Sequence, residues 1–342
     1  MTRAAVIGCG DISALHLGAI ASMPDVELVA VCDIDPDRAR AAAQEHGVAG
    51  YTDHLELLSR SAPDVVHVCT PHSEHAAIVV DALDRGVHVI TEKPIASDPA
   101  QAAAIVDAAR RSAAKLAVCF QNRYNRPVQA ARELIESGEA GRVLGAAGTV
   151  LWHRTPEYYA AAPWRGTWAG GGGGLLMNQA IHTLDLLCWL IGPVGGVTGT
   201  AATRALPIEV EDTAEMTLLH ENGARSVLYA TLAHAVNEPV GIEIVLERAH
   251  LSIRDDLTIR WQDGSEQVVP EERTATGERS YWGVSHDRLI ADFYGRLDDP
   301  EPFWIDARAG ARAVEIIYDV YAASFPERVP TTRLTTERSA RA

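Results

Sequence analysis

The residues Ala4-Ala5-Val6-Ile7-Gly8-Cys9-Gly10-Asp11-Ile12-Ser13 form an apolar run that breaks into G-x-G-x-x-S and continues as a helical pattern over 12–23. A short β-branched stretch predicts a strand, here 4–8, and the paired glycines predict a tight turn into the helix. In such a turn the first glycine, Gly8, permits the bend. The second, Gly10, lets backbone amides reach a pyrophosphate lying on the helix N-terminus, where free N–H groups and the macrodipole favour anions. Ser13 holds the third position, which usually takes glycine for close helix–strand packing, and its small side chain still serves that purpose. Asp33 ends the next predicted strand, 23 residues after Gly10. A carboxylate near this spacing accepts bonds from an adenosine ribose and repels a 2′-phosphate, so the pattern predicts NAD in preference to NADP.

Working outward, 27–32, 64–70, 88–91 and 115–120 read as further strands, with helices near 37–46, 75–85 and 99–114. These strands are continuous apolar runs, the pattern of a parallel sheet buried on both faces and built from βαβ units. After residue 122 the rhythm changes. A helix is predicted over 128–137, a long strand over 143–154, and a helix over 175–191 opened by the glycines Gly170 to Gly174. Strands at 213–220, 224–234, 241–246, 250–254 and 257–261 suggest hairpins, and helices at 285–297 and 306–324 follow. The expected division is an α/β nucleotide-binding domain over 1–122 and an α+β domain over 123–342, the latter with a large open, mainly antiparallel sheet.

The chain has 342 residues, 47% of them hydrophobic, and a formal charge of −16. So acidic a balance argues against nucleic-acid partners, which need a basic face, and against docking on an anionic membrane. Apolar runs such as 186–191 fall far short of the ~20 residues of a spanning helix, and no export signal is visible. The five cysteines are widely spaced and form no disulfide framework, which suggests a reduced, cytoplasmic protein. Cys9, Cys32, Cys69 and Cys119 fall at strand ends, but none is paired at C-x-x-C spacing, and no metal site is expected. Of 30 basic residues only Lys93 and Lys115 are lysines. Lysine can release its proton where arginine cannot, so Lys93 is a candidate for proton chemistry, whereas Lys115 begins a strand and is expected to be solvated.

Three loops leave the same sheet edge: Cys69-Thr70-Pro71-His72-Ser73-Glu74-His75, Thr91-Glu92-Lys93-Pro94 and Gln121-Asn122-Arg123-Tyr124-Asn125. With the Gly-rich entry to Asn178-Gln179-Ala180-Ile181-His182-Thr183-Leu184-Asp185 and with Tyr281-Trp282-Gly283-Val284-Ser285-His286, the order of motifs resembles the glucose–fructose oxidoreductase / inositol dehydrogenase / MocA (Gfo/Idh/MocA) family over nearly the whole chain. The resemblance implies a Rossmann domain binding NAD(P), an open-sheet domain that often mediates oligomerisation (a homodimer or homotetramer), and redox chemistry at a secondary carbinol of a sugar, polyol or sugar derivative. It implies Lys93 and His182 as catalytic residues. Gly8, Gly10, Asp11, Ile12, Asp33, Thr70, Pro71, His72, His75, Glu92, Lys93 and Gln121 are expected at the cofactor. Asn178, Arg123, Tyr124, Asn125, Trp164, Arg165 and His286 are expected at the substrate.

The residue types suit that chemistry. Removing a hydride from a carbinol requires its hydroxyl proton to leave too, and imidazole or a desolvated amine can take it. On an α-helix Asn178 and His182 share a face one turn apart, and Asp185 is placed to orient the imidazole, or else to bond backbone or an arginine across the interface. A histidine on an apolar helix is also commonly a core residue. Inositol dehydrogenase-like members carry Asp where this chain has Asn178, and an amide cannot exchange a proton, so proton transfer falls to His182 and Lys93. His72 stands where Asn is commoner. Trp152, Arg154, Tyr158, Trp164 and Arg165 form an aromatic–arginine cluster suited to a sugar ring and an anionic group, or to packing the domain interface. Two alternatives remain at this stage: a glycosidase that oxidises its sugar transiently with bound NAD, and a sugar- or cofactor-sensing regulator without catalysis.

Overall fold

The computed structural model describes residues 1–271 and 285–329. The Tyr281-Trp282-Gly283-Val284 part of the last motif lies outside the described residues.

The first sheet is six-stranded and wholly parallel, in the order β3-β2-β1-β4-β5-β6. Its strands are β1 (Thr2–Ile7), β2 (Val26–Cys32), β3 (Ala49–Tyr51), β4 (Val65–Val68), β5 (His88–Thr91) and β6 (Leu116–Val118). Helices α1 (Ser13–Ser22), α2 (Pro36–His46), α3 (His54–Ser61), α4 (His75–Leu83) and α5 (Pro99–Arg111) connect them. Ala4, Ala5, Val6, Val65, Val66 and Val68 are fully buried, which is why these strands read as unbroken apolar runs. The order reverses between β1 and β4, so a crevice opens at their carboxyl ends, the edge where open α/β sheets take ligands.

The sequence reading did not include β3 or α3. Three residues with a central glycine are too few to show a period, although Asp53 caps α3 by accepting from Leu55 N (2.7 Å).

The chain passes through α6 (Arg126–Ser137) into a second sheet of eight strands, β14-β13-β12-β11-β7-β10-β9-β8. These are β7 (Val143–Leu151), β8 (Val194–Ala202), β9 (Thr213–His220), β10 (Arg225–Thr231), β11 (Gly241–Leu246), β12 (Ala249–Arg254), β13 (Asp256–Trp261) and β14 (Glu266–Val269). Only β7 and β10 pair in parallel; the other neighbours are antiparallel. The edge strands β8 and β14 also escaped the sequence reading. β8 carries three glycines, and β14 is short with two polar residues.

Short helices α7 (Pro156–Ala160) and α8 (Trp168–Gly171) precede a π-helical turn, Leu176–Ala180, which runs into α9 (Ile181–Ile191). The stretch Trp168–Ile191 is, against expectation, long and apolar enough to cross a membrane, but 78% of its apolar window is buried in the fold as a core helix. Lys115, expected to be solvated, is instead buried just ahead of β6, its Nζ donating to the carbonyls of Arg296 and Glu301 (2.8 Å to the latter). The last helices return to the first sheet. α10 (Ser285–Gly295) packs on α1, and α11 (Ala307–Ser324) packs on α5, β6 and β8. The glycine run is needed for close approach: a Cβ on Gly172 (φ +69°) would lie 2.0 Å from the Ser97 carbonyl oxygen. This contact seats the second-sheet region against the loop following Lys93-Pro94.

Candidate active site

One cleft of about 2450 Å³ runs from the glycine turn across the carboxyl edge of the parallel sheet to the π-turn. At its first end Gly8 (φ +93°) could not carry a side chain, because a Cβ would sit 2.6 Å from the Cys69 carbonyl. A Cβ on Gly10 would meet nothing within 4 Å, so that side of the turn is open to a ligand. Ser13 Oγ donates to the Gly10 carbonyl (2.6 Å), and Ile12 supplies no side-chain cap to α1. Ser13 N and Leu15 N donate back to the Gly10 and Ile12 carbonyls (3.1 Å each), so this uncapped end of α1 favours an anion through its macrodipole. Asp33 accepts from Cys9 N (2.8 Å) and Asp35 N (2.9 Å), which fixes its carboxylate at the edge of the turn.

The next residue, Ile34, lines the cleft at 90% exposure and suits a flat base; an apolar residue directly after the strand-ending acid was the signal that sequence reading passed over. Further along, Thr70 Oγ1 and Gln121 Oε1 are buried without partners among the described residues. Asp11, Pro71, His72 and Glu92 also line the cleft. An open glycine turn, a helix end without a side-chain cap, an oriented carboxylate and these polar atoms together fit a dinucleotide.

At the other end Lys93, from the loop after β5, sends its Nζ 2.9 Å to the carbonyl oxygen of Asn178. Burial lowers the pKa of this amine, against the pull of Glu92 and with help from the positive charge of Arg165. His182 lines the cleft beside it and makes no hydrogen bond among the described residues; its Nδ1 is buried and unpartnered. Burial, then the charge of Lys93, holds the imidazole well below its usual pKa, so it is a neutral base. The expected α-helical face shared by Asn178 and His182 is corrected by the π-turn, which covers Asn178 and changes the i,i+4 geometry. Such turns often occur at functional sites.

Several expected ligand contacts are placed elsewhere. Asp185 does not reach His182. It accepts from Arg123 Nε (2.8 Å) and Nη2 (2.6 Å) in a buried fork, against which Phe120, Trp189 and Trp304 pack. Arg123 is therefore an internal counter-charge and does not line the cleft. Tyr124 is likewise outside it, donating to Asp292 (2.6 Å) and receiving the Trp304 indole N–H (3.0 Å). His75 is fully buried, its ring nitrogens on the carbonyls of Pro94 (2.7 Å) and Thr70 (2.9 Å). It ties two cleft loops together and does not line the cleft.

His72 does line it, bonded through Nδ1 to the Gly171 carbonyl (2.9 Å) and set edge-on to Trp164. Asn125 lines it while accepting from Ser285 Oγ. Trp164, Arg165, Asn178 and His286 line it.

A buried string that the sequence reading did not assemble lies under Lys93. His16 Nε2 and His286 Nε2 lie 3.1 and 3.2 Å from the same Glu92 oxygen. His16 Nδ1 is 2.8 Å from His67 Nδ1, and His67 Nε2 is 2.9 Å from the Tyr294 hydroxyl. An ionised carboxylate only accepts, so both Nε2 atoms donate to it. His16 Nδ1 then accepts from His67 Nδ1–H, and His67 Nε2 accepts from Tyr294. This assignment satisfies every contact with three neutral imidazoles. Burial opposes the charge on Glu92, but the bonds from His16 and His286 hold its pKa well below the usual carboxylate range.

Residues 2–120 match the oxidoreductase family with an NAD-binding Rossmann fold (GFO_IDH_MocA), and residues 128–252 match a GFO/IDH/MocA C-terminal domain. The D-apiose dehydrogenase of Paraburkholderia graminis is 32% identical over 68% of this chain and 60% of its own length. The D-glucoside 3-dehydrogenase of Escherichia coli is 33% identical over 56% of this chain and 54% of its own length. The matches thus span little more than half of these two curated relatives. The WlbA dehydrogenase from Bordetella pertussis, solved in complex with NADH and UDP-GlcNAcA, is 30% identical, with 94% of this chain and 96% of that one covered at a TM-score of 0.80. The cleft, the sheet order and these likenesses agree: the chain belongs to the Gfo/Idh/MocA family of NAD-binding oxidoreductases.

Proposed function

We propose that this protein is an NAD-dependent dehydrogenase or ketoreductase acting on a secondary carbinol of a sugar, cyclic polyol or sugar derivative. The observation that carries the reading is the junction of Lys93 Nζ with the Asn178 carbonyl (2.9 Å), four residues before His182 in the same cleft. An amine from the nucleotide-binding lobe and an imidazole from the second lobe are brought to one wall. NAD, when bound, supplies the hydride acceptor. Gly8, Gly10, Asp11, Ile12, Asp33, Ile34, Thr70, Pro71, Glu92 and Gln121 are the residues of this chain that would hold it.

His182, neutral and unpartnered, takes the hydroxyl proton. The Lys93 ammonium donates to the same oxygen and stabilises its developing charge. Asn178 positions the ring, because an amide hydrogen-bonds but does not exchange a proton. The working division is a nucleotide lobe over 1–122 and a substrate lobe over 123–342, with α10 and α11 returning to close the first lobe.

The setting of the reaction is part of the proposal. Leu219, Val227, Tyr229 and Val245 project from one face of the second sheet at 41–49% exposure, and a second copy of this chain would cover them, giving a homodimer or homotetramer. Five free thiols accord with a reducing, cytoplasmic compartment. The test is a panel of polyols, aldoses, sugar acids and sugar nucleotides with NAD and NADP, followed at the nicotinamide absorbance band. Steady NADH formation with at least one member is expected. Bound NAD with no net NADH from any of them would contradict the reading.

A further inference from the structure

Two guanidinium groups converge on one tyrosine in the substrate half of the cleft. Arg165 Cζ lies 4.9 Å and Arg154 Cζ 5.2 Å from the centroid of the Tyr158 ring. Arg165 also lies 5.6 Å from the Trp164 ring and Arg154 4.9 Å from that of Trp152. The tyrosine hydroxyl is fixed in turn by Gln179 Nε2 (3.3 Å) and Asn178 Nδ2 (3.4 Å), donors from the π-turn whose Asn178 carbonyl holds Lys93. The shelf is thus tied to the reacting end of the cleft.

Neither arginine forms an ion pair among the described residues. Arg154 donates only to the neutral oxygens of His153 (2.8 Å) and Asn237 (3.1 Å), and the side chain of Arg165 meets only aromatic faces. In this acidic chain at least thirteen other arginines reach a carboxylate among the described residues. Glu238 and Asp255 line the same cleft, yet neither pairs with Arg154 or Arg165. Gathering like charges without a counter-ion is unfavourable, and the cost is offset when an anion enters. Aromatic stacking holds each guanidinium plane in place, which favours forked recognition of a planar or tetrahedral oxyanion.

We propose that Arg165 and Arg154, held on Tyr158, form a subsite for an anionic oxygen group of the substrate, so that the protein acts on an acidic sugar and not on a neutral polyol. The proposal rests on the dehydrogenase reading for the word substrate, but the subsite stands or falls by binding alone. Carboxylate and phosphoryl groups share the required chemistry.

The experiment is calorimetric titration of the NADH-loaded protein with D-glucuronate, D-galacturonate, D-gluconate, D-glucose 6-phosphate and neutral D-glucose, repeated with Arg165→Met, Arg165→Lys and Arg154→Met. At least one acid is expected to bind about 10- to 100-fold more tightly than glucose, the range of a charge-assisted pair. Arg165→Met is expected to reduce that preference to within about threefold, and Arg165→Lys to retain part of it. The NADH affinity of each variant reports an intact fold and is expected to match the parent. A stronger response to glucose 6-phosphate assigns a phosphoryl group, and a stronger response to the sugar acids assigns a carboxylate. Equal binding of glucose and every acid, or a preference that survives both methionine variants, overturns the subsite. Acids that bind through Arg165, with no NADH formed from NAD and any member of the sugar and polyol panel, leave the subsite standing and remove the dehydrogenase reading.

Discussion

Two buried glutamates, one behind each reacting group, are held in opposite ways. Glu92 adjoins Lys93 and accepts from the ring N–H groups of two histidines, His16 and His286. Glu211 pins the glycine run ahead of the His182 helix, accepting from Gly174 N (2.8 Å), Leu176 N (2.7 Å) and the Tyr321 hydroxyl (2.7 Å). Both are buried, Glu211 completely and Glu92 to 6% exposure at the cleft. Yet the pKa of Glu92 is held well below the usual range, while burial pushes that of Glu211 up to about 7 against its three neutral donors. Burial alone therefore does not set the charge of a carboxylate; the kind of donor does. At the Lys93 side the protein keeps a permanent negative charge, which supports an ammonium. At the His182 side it keeps a near-neutral anchor, which leaves the imidazole's proton affinity to its own pocket.

The sharpest break in this comparison is Lys93→Ala, which removes the group that Glu92 supports. Turnover is expected to fall about 10³-fold while NADH still binds, as read by steady-state rates and cofactor fluorescence. Asp33→Ala acts on the nucleotide end and is expected to weaken NAD binding about 30-fold, since ribose bonds to a charged acceptor are lost. The same variant relaxes discrimination against NADP, measured by the ratio of the two dissociation constants.

The two glutamates are then separated by pH. For Glu92 the folded pKa lies below the unfolded one. Its contribution to stability is present at neutral pH and is lost as pH falls below the usual carboxylate range. For Glu211 the folded value, about 7, lies above the unfolded 4.5. Its contribution is present below pH 4.5 and declines as pH rises to about 7. Urea midpoints at pH 5 and 7.5 should show Glu92→Gln losing nearly the same stability at both, since both lie above the range in which the Glu92 contribution changes. Glu211→Gln should recover on the order of 2–3 kcal/mol between the two. Equal pH slopes for the two variants would dissolve the contrast. The smallest effect expected is His67→Gln, two bonds removed from Glu92, with turnover reduced no more than about tenfold and the fold retained.

The first sheet was legible because strands buried on both faces leave unbroken apolar runs, and because the glycine turn and Asp33 lie in one local stretch. β3 and β8 were not, being short or glycine-rich, so that no period develops. In the site, Lys93 and His182 were reachable through short motifs around them. An arginine partner for Asp185 was legible as an alternative, but its identity was not, because Arg123 lies 62 positions away and read alone looks like a ligand contact. Nor was the His16–Glu92–His286 hub, whose members come from α1, the end of β5 and α10. The π-turn was hidden for another reason: a helical pattern implies α spacing by default, and one extra residue in the turn moves Asn178 without altering composition.

The central claim is that the Lys93 amine and the His182 imidazole serve the same substrate oxygen. Single-turnover hydride transfer in Lys93→Ala, His182→Ala and the double variant tests it directly. Groups acting as one unit are non-additive, so the double variant is expected to fall within about tenfold of the slower single variant. Losses that multiply in full, or a double variant with parental rates, would contradict it.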